Sequence, residues 1–344
     1  MKIMEGNSNN TSNNETSLTR DGSSVFDKIF LTVTVSLIII IIFAAVCGNL
    51  LVCLAISLNQ RLRKVTNYFI VSLAISDLMT ACFSMPFDVQ ALIHPFGWNN
   101  GEFTCNFWAF MYLIAAPTSI LNLMAVSIDR YRAISAPLQY YDKMRPKRAL
   151  AFIAIIWLYS FVFTTVGMVG WPFYDHSVIN GMCFFNIHPY FSVTSSAVNF
   201  IFPTVVMCVI YFKIYLIANA HAHRLANEVP EPVPSCLSNE DSANMTNEKK
   251  RTKRNIKAAK TIAILVSTFL VCWMPITLLS TVGSLCRECI MVGNVAVFQA
   301  LLVLAYLNSA LNPILYSFLN REFRESFIKI FKLRWHQSNN NLTP

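Results

Sequence analysis

The side chains with most chemical potential in this 344-residue chain are charges set where charge is costly. Asp129-Arg130-Tyr131 puts a carboxylate and a guanidinium side by side at the end of a long apolar run. Such a pair reads either as an ionisable functional element at membrane depth or as a basic marker just past a membrane span. Asp77 and Asp88 interrupt another apolar run, 11 residues apart, which puts Asp88 about 16 Å outward along the helix. His221 and His223 alternate in a polar stretch with no further ligand in sight, so a solvated helix end is the better reading than a metal site. No nucleophile, base and orienting group come together, and no glycine-rich phosphate loop is present, so an enzyme finds no support.

Those charges must be held by helices. The composition is 55% hydrophobic and 13% charged, unlike an ordinary soluble domain. Apolar blocks of bilayer-spanning length recur at residues 29–58, 67–93, 107–128, 149–173, 191–212, 261–285 and 290–319. About 20 helical residues cross a bilayer, and a backbone in lipid must satisfy its own polar groups. The expected fold is therefore an all-α membrane protein, a seven-transmembrane helix bundle covering residues 29–319.

Charge sets the expected orientation. Of the 27 Lys and Arg residues, all but Lys2, Arg20, Lys28 and Arg287 follow spans 1, 3, 5 and 7. Basic loops face the cytosol, which places the N-terminus outside and the C-terminus inside. The net charge of +9 follows from this asymmetry and suits anionic inner-leaflet lipid; nothing in it calls for nucleic acid. Residues 1–28, rich in Asn and Ser, are expected to be disordered and extracellular. They carry glycosylation sequons at Asn9, Asn10 and Asn14. With no signal-peptide pattern ahead of it, span 1 is expected to direct insertion. The cytosolic stretch at about 224–254 reads as a flexible segment running into a basic helix start. Residues 320–333 place Phe323, Phe327, Ile330 and Phe331 on one face, an amphipathic helix lying in the inner interface; residues 334–344 form a cytosolic tail.

Of the ten Cys, Cys47, Cys53, Cys82, Cys208 and Cys272 fall within spans as packing residues. Cys105 and Cys183 are both expected outside and can pair. Cys286 and Cys289 form a second candidate pair, a tight ring.

Seven spans in this orientation point to a receptor, and the motifs make the match specific. From Gly48-Asn49 to Phe331 the chain resembles the rhodopsin-like (class A) G-protein-coupled receptors. The matching residues are Asn49, Leu73-Ala74-Ile75-Ser76-Asp77, Asp129-Arg130-Tyr131, Trp157, Pro203 with Tyr211, Cys272-Trp273-Met274-Pro275 and Asn312-Pro313-Ile314-Leu315-Tyr316. The resemblance implies a sodium ion held by Asp77, Ser119, Asn308 and Asn312. Polar glue between helices is the plainer account of the same residues. It also implies a packing connector of Ile120, Pro203 and Phe269 beneath the ligand, with Trp273 as the pocket floor. Tyr211 and Tyr316 are then expected to swing toward Arg130 as the cytoplasmic side opens. No cofactor is expected beyond that ion. The implied partners are a heterotrimeric G protein, arrestin and a receptor kinase, with the plasma membrane as the site and an extracellular small ligand as the input.

The input end matches less well. Ser195-Ser196, Tyr306 and Phe184-Phe185 resemble the biogenic-amine receptors, and Asn199 joins them in the candidate pocket. Those receptors carry an Asp where this chain has Tyr112, and an aromatic pair where it has Ile276-Thr277. Tyr112 lies 18 residues before Arg130, roughly 27 Å along the helix, hence in the outer part of span 3. Asp88 either supplies the missing counter-ion from span 2 or is a hydrated acid near a helix end. Retinal is excluded, because span 7 has Tyr306 where opsins carry the Schiff-base Lys. Many relatives also hold the motif Arg with an acid at the base of span 6. Here that position is Asn255, among Lys253, Arg254 and Lys257, so a constitutively active or partner-modulating receptor is an alternative. A seven-span transporter or channel is a poorer one, since it needs a charged midplane path and shows internal repeats.

Overall fold

The computed structural model describes residues 13–94, 97–136, 140, 145–227, 239–286 and 295–340. Among these, seven helices are long and apolar enough to cross a membrane: Asp27–Leu58, Val65–Ile93, Gly101–Ser135, Pro146–Gly170, Pro189–Ala220, Ala259–Leu285 and Ala296–Leu319, here spans 1 to 7. An eighth helix, Arg321–Asn340, follows span 7.

Spans 2 and 3 are the central elements. In their most apolar windows 61% and 56% of residues are buried, against 22% in span 1 and 17% in span 4. Span 3 packs on spans 2, 4, 5 and 6, and span 7 on spans 1, 2 and 6 and on the C-terminal helix. The main core runs through Val52, Leu73, Ile120, Met207, Phe269, Tyr316 and Phe323. A second cluster joins spans 1, 2 and 7 in the outer half around Ile38, Met85 and Tyr306. Phe43, Leu158, Phe212 and Val271 point outward and are more than half exposed. In water they would be an aggregation surface; in hydrocarbon they are a fitting coat.

Local sequence explains where the spans depart from regular helix. Span 2 breaks at Ser84, between the helices Val65–Phe83 and Met85–Ile93. Pro86, in the first turn after the break, has no backbone N–H to give and its ring disfavours an uninterrupted helix. Span 5 contains a π-helical turn, Ala197–Ile201, just before Pro203. Such turns insert an extra residue and re-aim the side chains beside them.

After span 4 the chain forms a hairpin, β1 Val178–Ile179 paired antiparallel with β2 Met182–Cys183. Its turn residues, Asn180 (φ 51°) and Gly181 (φ 74°), are the types that tolerate the left-handed region such two-residue turns demand. The Cys105–Cys183 disulfide, with Cα atoms 5.7 Å apart, ties β2 to the outer end of span 3. Cys286 is also disulfide-bonded; Cys289, its expected partner, lies outside the described residues. The five Cys expected to be unpaired packing residues are free thiols.

Three boundaries differ from the expectation. Helix begins at Asn13, inside the segment read as disordered; once span 1 is nucleated, each residue added ahead of it gains a hydrogen bond at little further cost. The span 6 helix starts at Asn239, well inside the stretch read as flexible, for the same reason. The C-terminal helix continues past 333 to Asn340. Asn9 and Asn10, and the side chains of Asn14, His221, His223 and Asn255, fall outside the described residues.

Candidate functional site

Three polar clusters are strung along the inside of the bundle. The innermost is built on Asp129, which is 1% exposed. Its Oδ2 accepts hydrogen bonds from Arg130 Nη2 at 2.7 Å, Arg130 Nε at 3.2 Å and Thr66 Oγ1 at 2.6 Å. Its Oδ1 accepts the Tyr140 hydroxyl at 2.6 Å. Burial, then the adjacent carboxylate, push the Tyr140 phenol well above its ordinary range, so it stays protonated and donates. A buried ion pair holds only when its remaining lone pairs are satisfied, and here Thr66 and Tyr140 do that.

Tyr131, the third member of the tripeptide, turns instead toward span 5, where the Lys213 ammonium lies 5.9 Å from its ring centre. Tyr211 shares a 3.0 Å hydrogen bond with Ser127. Tyr316 is 2% exposed and stacks at 5.4 Å on Phe323 of the C-terminal helix.

The middle cluster surrounds Asp77, 2% exposed. Asn312 donates to its Oδ2 at 2.8 Å, and Ser309 also bonds it. Asn49 donates to the Ser309 carbonyl at 3.0 Å, linking spans 1 and 7. Ser119 is engaged by Ser76 at 2.9 Å. The Asn308 and Asn49 side-chain carbonyl oxygens are buried with no protein partner among the described residues. A carboxylate and several amide and hydroxyl oxygens form a hard, all-oxygen donor set that fits a small monovalent cation. Above this cluster Ile120 and Phe269 are buried. Phe269 packs between Phe200, at 6.3 Å, and Trp273, at 6.0 Å. Pro203 is buried in span 5 close by. Trp157 donates to Ser72 at 3.0 Å, joining spans 4 and 2.

The outer cluster brings together residues far apart in the chain. Asp88 is 9% exposed, and its Oδ2 accepts Tyr306 Oη at 2.5 Å and Trp108 Nε1 at 3.2 Å. The reading of Asp88 as a hydrated acid is therefore corrected. It faces into the bundle between spans 3 and 7 because its spacing from Asp77 and the break at Ser84 keep it on the inner face. Tyr112 packs against Phe185 at 5.3 Å and Trp273 at 6.0 Å, and Phe185 lies tilted against Trp108 at 4.4 Å. The disulfide holds β2, and with it the Phe184-Phe185 segment that follows, beside this cluster; Phe184 is 37% exposed.

The span 5 and span 6 candidates are largely occupied with one another. Thr281 donates to Ser196 at 2.9 Å and Ser284 to Ser192 at 3.0 Å. Asn199, within the π-helical turn, donates to Ser195 at 3.2 Å and accepts the Tyr159 hydroxyl at 2.7 Å. Thr277 bonds the Trp273 carbonyl of its own helix at 2.8 Å, and Ile276 is buried at 4%.

Sequence reasoning missed Trp108, Thr66, Tyr140 and Tyr159. Each is a donor to a residue it had singled out, and none announces itself by motif. Trp108 lay in plain sight one turn outward from Tyr112, so the same helix face pointed to it.

Comparison with known proteins agrees with this geometry. The profile of the seven-transmembrane receptors (rhodopsin family) matches residues 48–316, an interval that holds all three clusters. The chain is 33% identical to the octopamine receptor beta-1R of Drosophila melanogaster over 337 residues, covering 91% of this chain and 63% of that receptor. It is 32% identical to the histamine H2 receptor of Rattus norvegicus over 328 residues, 93% of this chain and 86% of that one. With dopamine receptor 1 of Drosophila melanogaster it shares 36% over 318 residues, 86% and 61%. The chain thus spans less than two thirds of the length of the Drosophila relatives. On the profile match and the extent of these similarities, this protein belongs to the rhodopsin family of seven-transmembrane receptors.

Proposed function

We propose that this protein is a plasma-membrane receptor that passes binding of an extracellular small ligand to heterotrimeric G proteins, with its N-terminus outside and its C-terminus in the cytosol. The observation that carries the reading is the inner cluster. A guanidinium, 15% exposed, is parked on a buried carboxylate at the end of the helix that also reaches the outer cluster. Release of Arg130 from Asp129, with inward movement of Tyr211, Tyr316 and the Asn312-Pro313 segment, opens a surface for a G-protein helix. A ligand shifts this balance only by binding one arrangement better than the other. Ile120, Pro203, Phe269 and Trp273 are the packed link between the two ends. Arrestin and a receptor kinase share the same open face, and Asn9, Asn10 and Asn14 take N-glycans on the outside.

Asp77, Ser119, Asn308 and Asn312 are the residues that would hold a sodium ion, which supplies compensating charge in the closed state. In this reading sodium lowers agonist affinity, and Asp77→Ala removes that effect. The functional test is nucleotide-dependent recruitment of a G protein in cells expressing the full chain. A transporter or channel recruits none.

A second reading is favoured by one observation. Among the described residues the ion-pair partner of Arg130 is its helix neighbour Asp129, not an acid across the bundle. A receptor held closed from one side only has raised activity without ligand. Basal recruitment that falls in Asn255→Glu supports this; unchanged recruitment sinks it.

A further inference from the structure

Asp88 is a buried carboxylate with no cation. Among the described residues no Lys, Arg or His side chain pairs with it, and both of its hydrogen-bond donors, Tyr306 and Trp108, are neutral and reach the same oxygen, Oδ2. No donor among the described residues reaches Oδ1. A buried carboxylate left in that condition is costly as a charge unless it is protonated or a partner supplies the opposite sign.

The surroundings say what kind of partner. Asp77, the deeper acid, sits among amides and hydroxyls. Asp88 sits among rings. Trp108 packs against Trp98 at 6.3 Å and Phe185 at 4.4 Å, and Phe185 leads on to Tyr112 and from there to Trp273. A metal ion wants more oxygen ligands than one carboxylate and one phenol provide, and an anion is repelled. A carboxylate walled by aromatic faces suits an organic ammonium, which takes an ion pair from the oxygen and cation–π attraction from the rings.

We propose that Asp88 is the counter-ion for a protonated alkylamine ligand, delivered from span 2 rather than span 3. The ammonium meets Oδ1, and the rest of the molecule lies along Tyr112 and Phe185 toward Trp273. Tyr306 and Trp108 are positioning residues: they fix the carboxylate through Oδ2 and leave its other oxygen facing the ligand. The inference rests on the receptor reading above and names the class of ligand for that receptor.

The test uses the purified full chain, with equilibrium binding and thermal stabilisation as readouts that need no G protein. The probes are octopamine, dopamine and histamine, each beside an analogue with the amine replaced by a hydroxyl. At least one amine binds, and its neutral analogue binds about 100-fold more weakly, as expected for loss of a desolvated charge pair. Asp88→Asn weakens that amine on the order of 100-fold and leaves the neutral analogue unaffected. Asp175→Asn, an exposed acid of the outer loop, changes neither. The double variant Asp88→Asn, Tyr112→Asp moves the carboxylate to span 3 and restores amine affinity. Equal binding of amine and neutral analogue to the unaltered protein overturns the proposal even if Asp88→Asn fails to fold. So does undiminished amine binding by Asp88→Asn, or no binding by any amine of the panel. If an amine binds through Asp88 but no G protein is recruited, the site stands and the receptor reading falls.

Discussion

Asp129 accepts from Arg130, Thr66 and Tyr140 at once, and the three donors are not equivalent. The Arg130 bond is charge-assisted and roughly twice as strong as a neutral one. Asp129→Asn removes that assistance, frees the guanidinium and raises ligand-free G-protein recruitment several-fold; unchanged recruitment in this variant contradicts the clamp. Tyr140→Phe removes a neutral donor and leaves one carboxylate oxygen short of a partner. It lowers stability by about 1 kcal/mol, read as a small fall in the unfolding temperature of the detergent-solubilised protein. The tripeptide and Asp77 were legible in the sequence because a charge inside an apolar run stands out. Thr66 and Tyr140 were not, since an ordinary Thr or Tyr gains meaning only from what it faces. The environment of Asp88 was illegible for the same reason: its donor Tyr306 is 218 positions away.

The C-terminal helix separates packing from surface charge. Lys64 and Glu322 form a 2.5 Å ion pair, yet their side chains are 54% and 44% exposed. Pairs of that kind contribute about 0–1 kcal/mol. Phe323, fully buried between Tyr316 and Phe327, is worth far more. Phe323→Ala costs about 3 kcal/mol or more, whereas Lys64→Ala is close to neutral; comparable losses in thermal unfolding for the two would reverse this ranking. On the solvent side, the hydrogen bond from Arg321 holds the exposed Glu325 carboxyl below its usual range. Its small contribution is present above the ordinary carboxylate range and fades as pH falls through the lowered value. The face of this helix was legible from the spacing of its apolar residues. Its continuation to Asn340 was not, because helix ends are set by weak local terms. The π-helical turn in span 5 and the break in span 2 lie beside Pro203 and Pro86. Proline marks a disturbance in a span without saying which way the chain will turn.

Across the whole molecule, the number of spans followed from composition alone, and their packing order had to come from the structure. The Cys105–Cys183 bridge pins the hairpin and the Phe184-Phe185 roof to span 3. Replacing both cysteines with Ser costs about 2–5 kcal/mol and loosens that roof. Ligand affinity falls with it, which binding to the solubilised variant checks; full affinity in a stable double variant would mean the roof has no part in the site.

Tyr316 gives the inner end a further property. Its hydroxyl is buried without a partner among the described residues, while its ring rests on Phe323. Movement toward Arg130 offers the hydroxyl a bond and takes away the stacking. In the proposed switch the C-terminal helix, whose Phe323 and Phe327 are buried against the bundle, is one arm of a balance whose other arm is Arg130. Coupling of that kind works in both directions. On that proposal, lipids that favour one placement of the helix bias the receptor toward one state, and a ligand bound at the far end of the bundle alters how the helix is held. On that proposal lipid composition is a second, lateral input, read out by the same tyrosine.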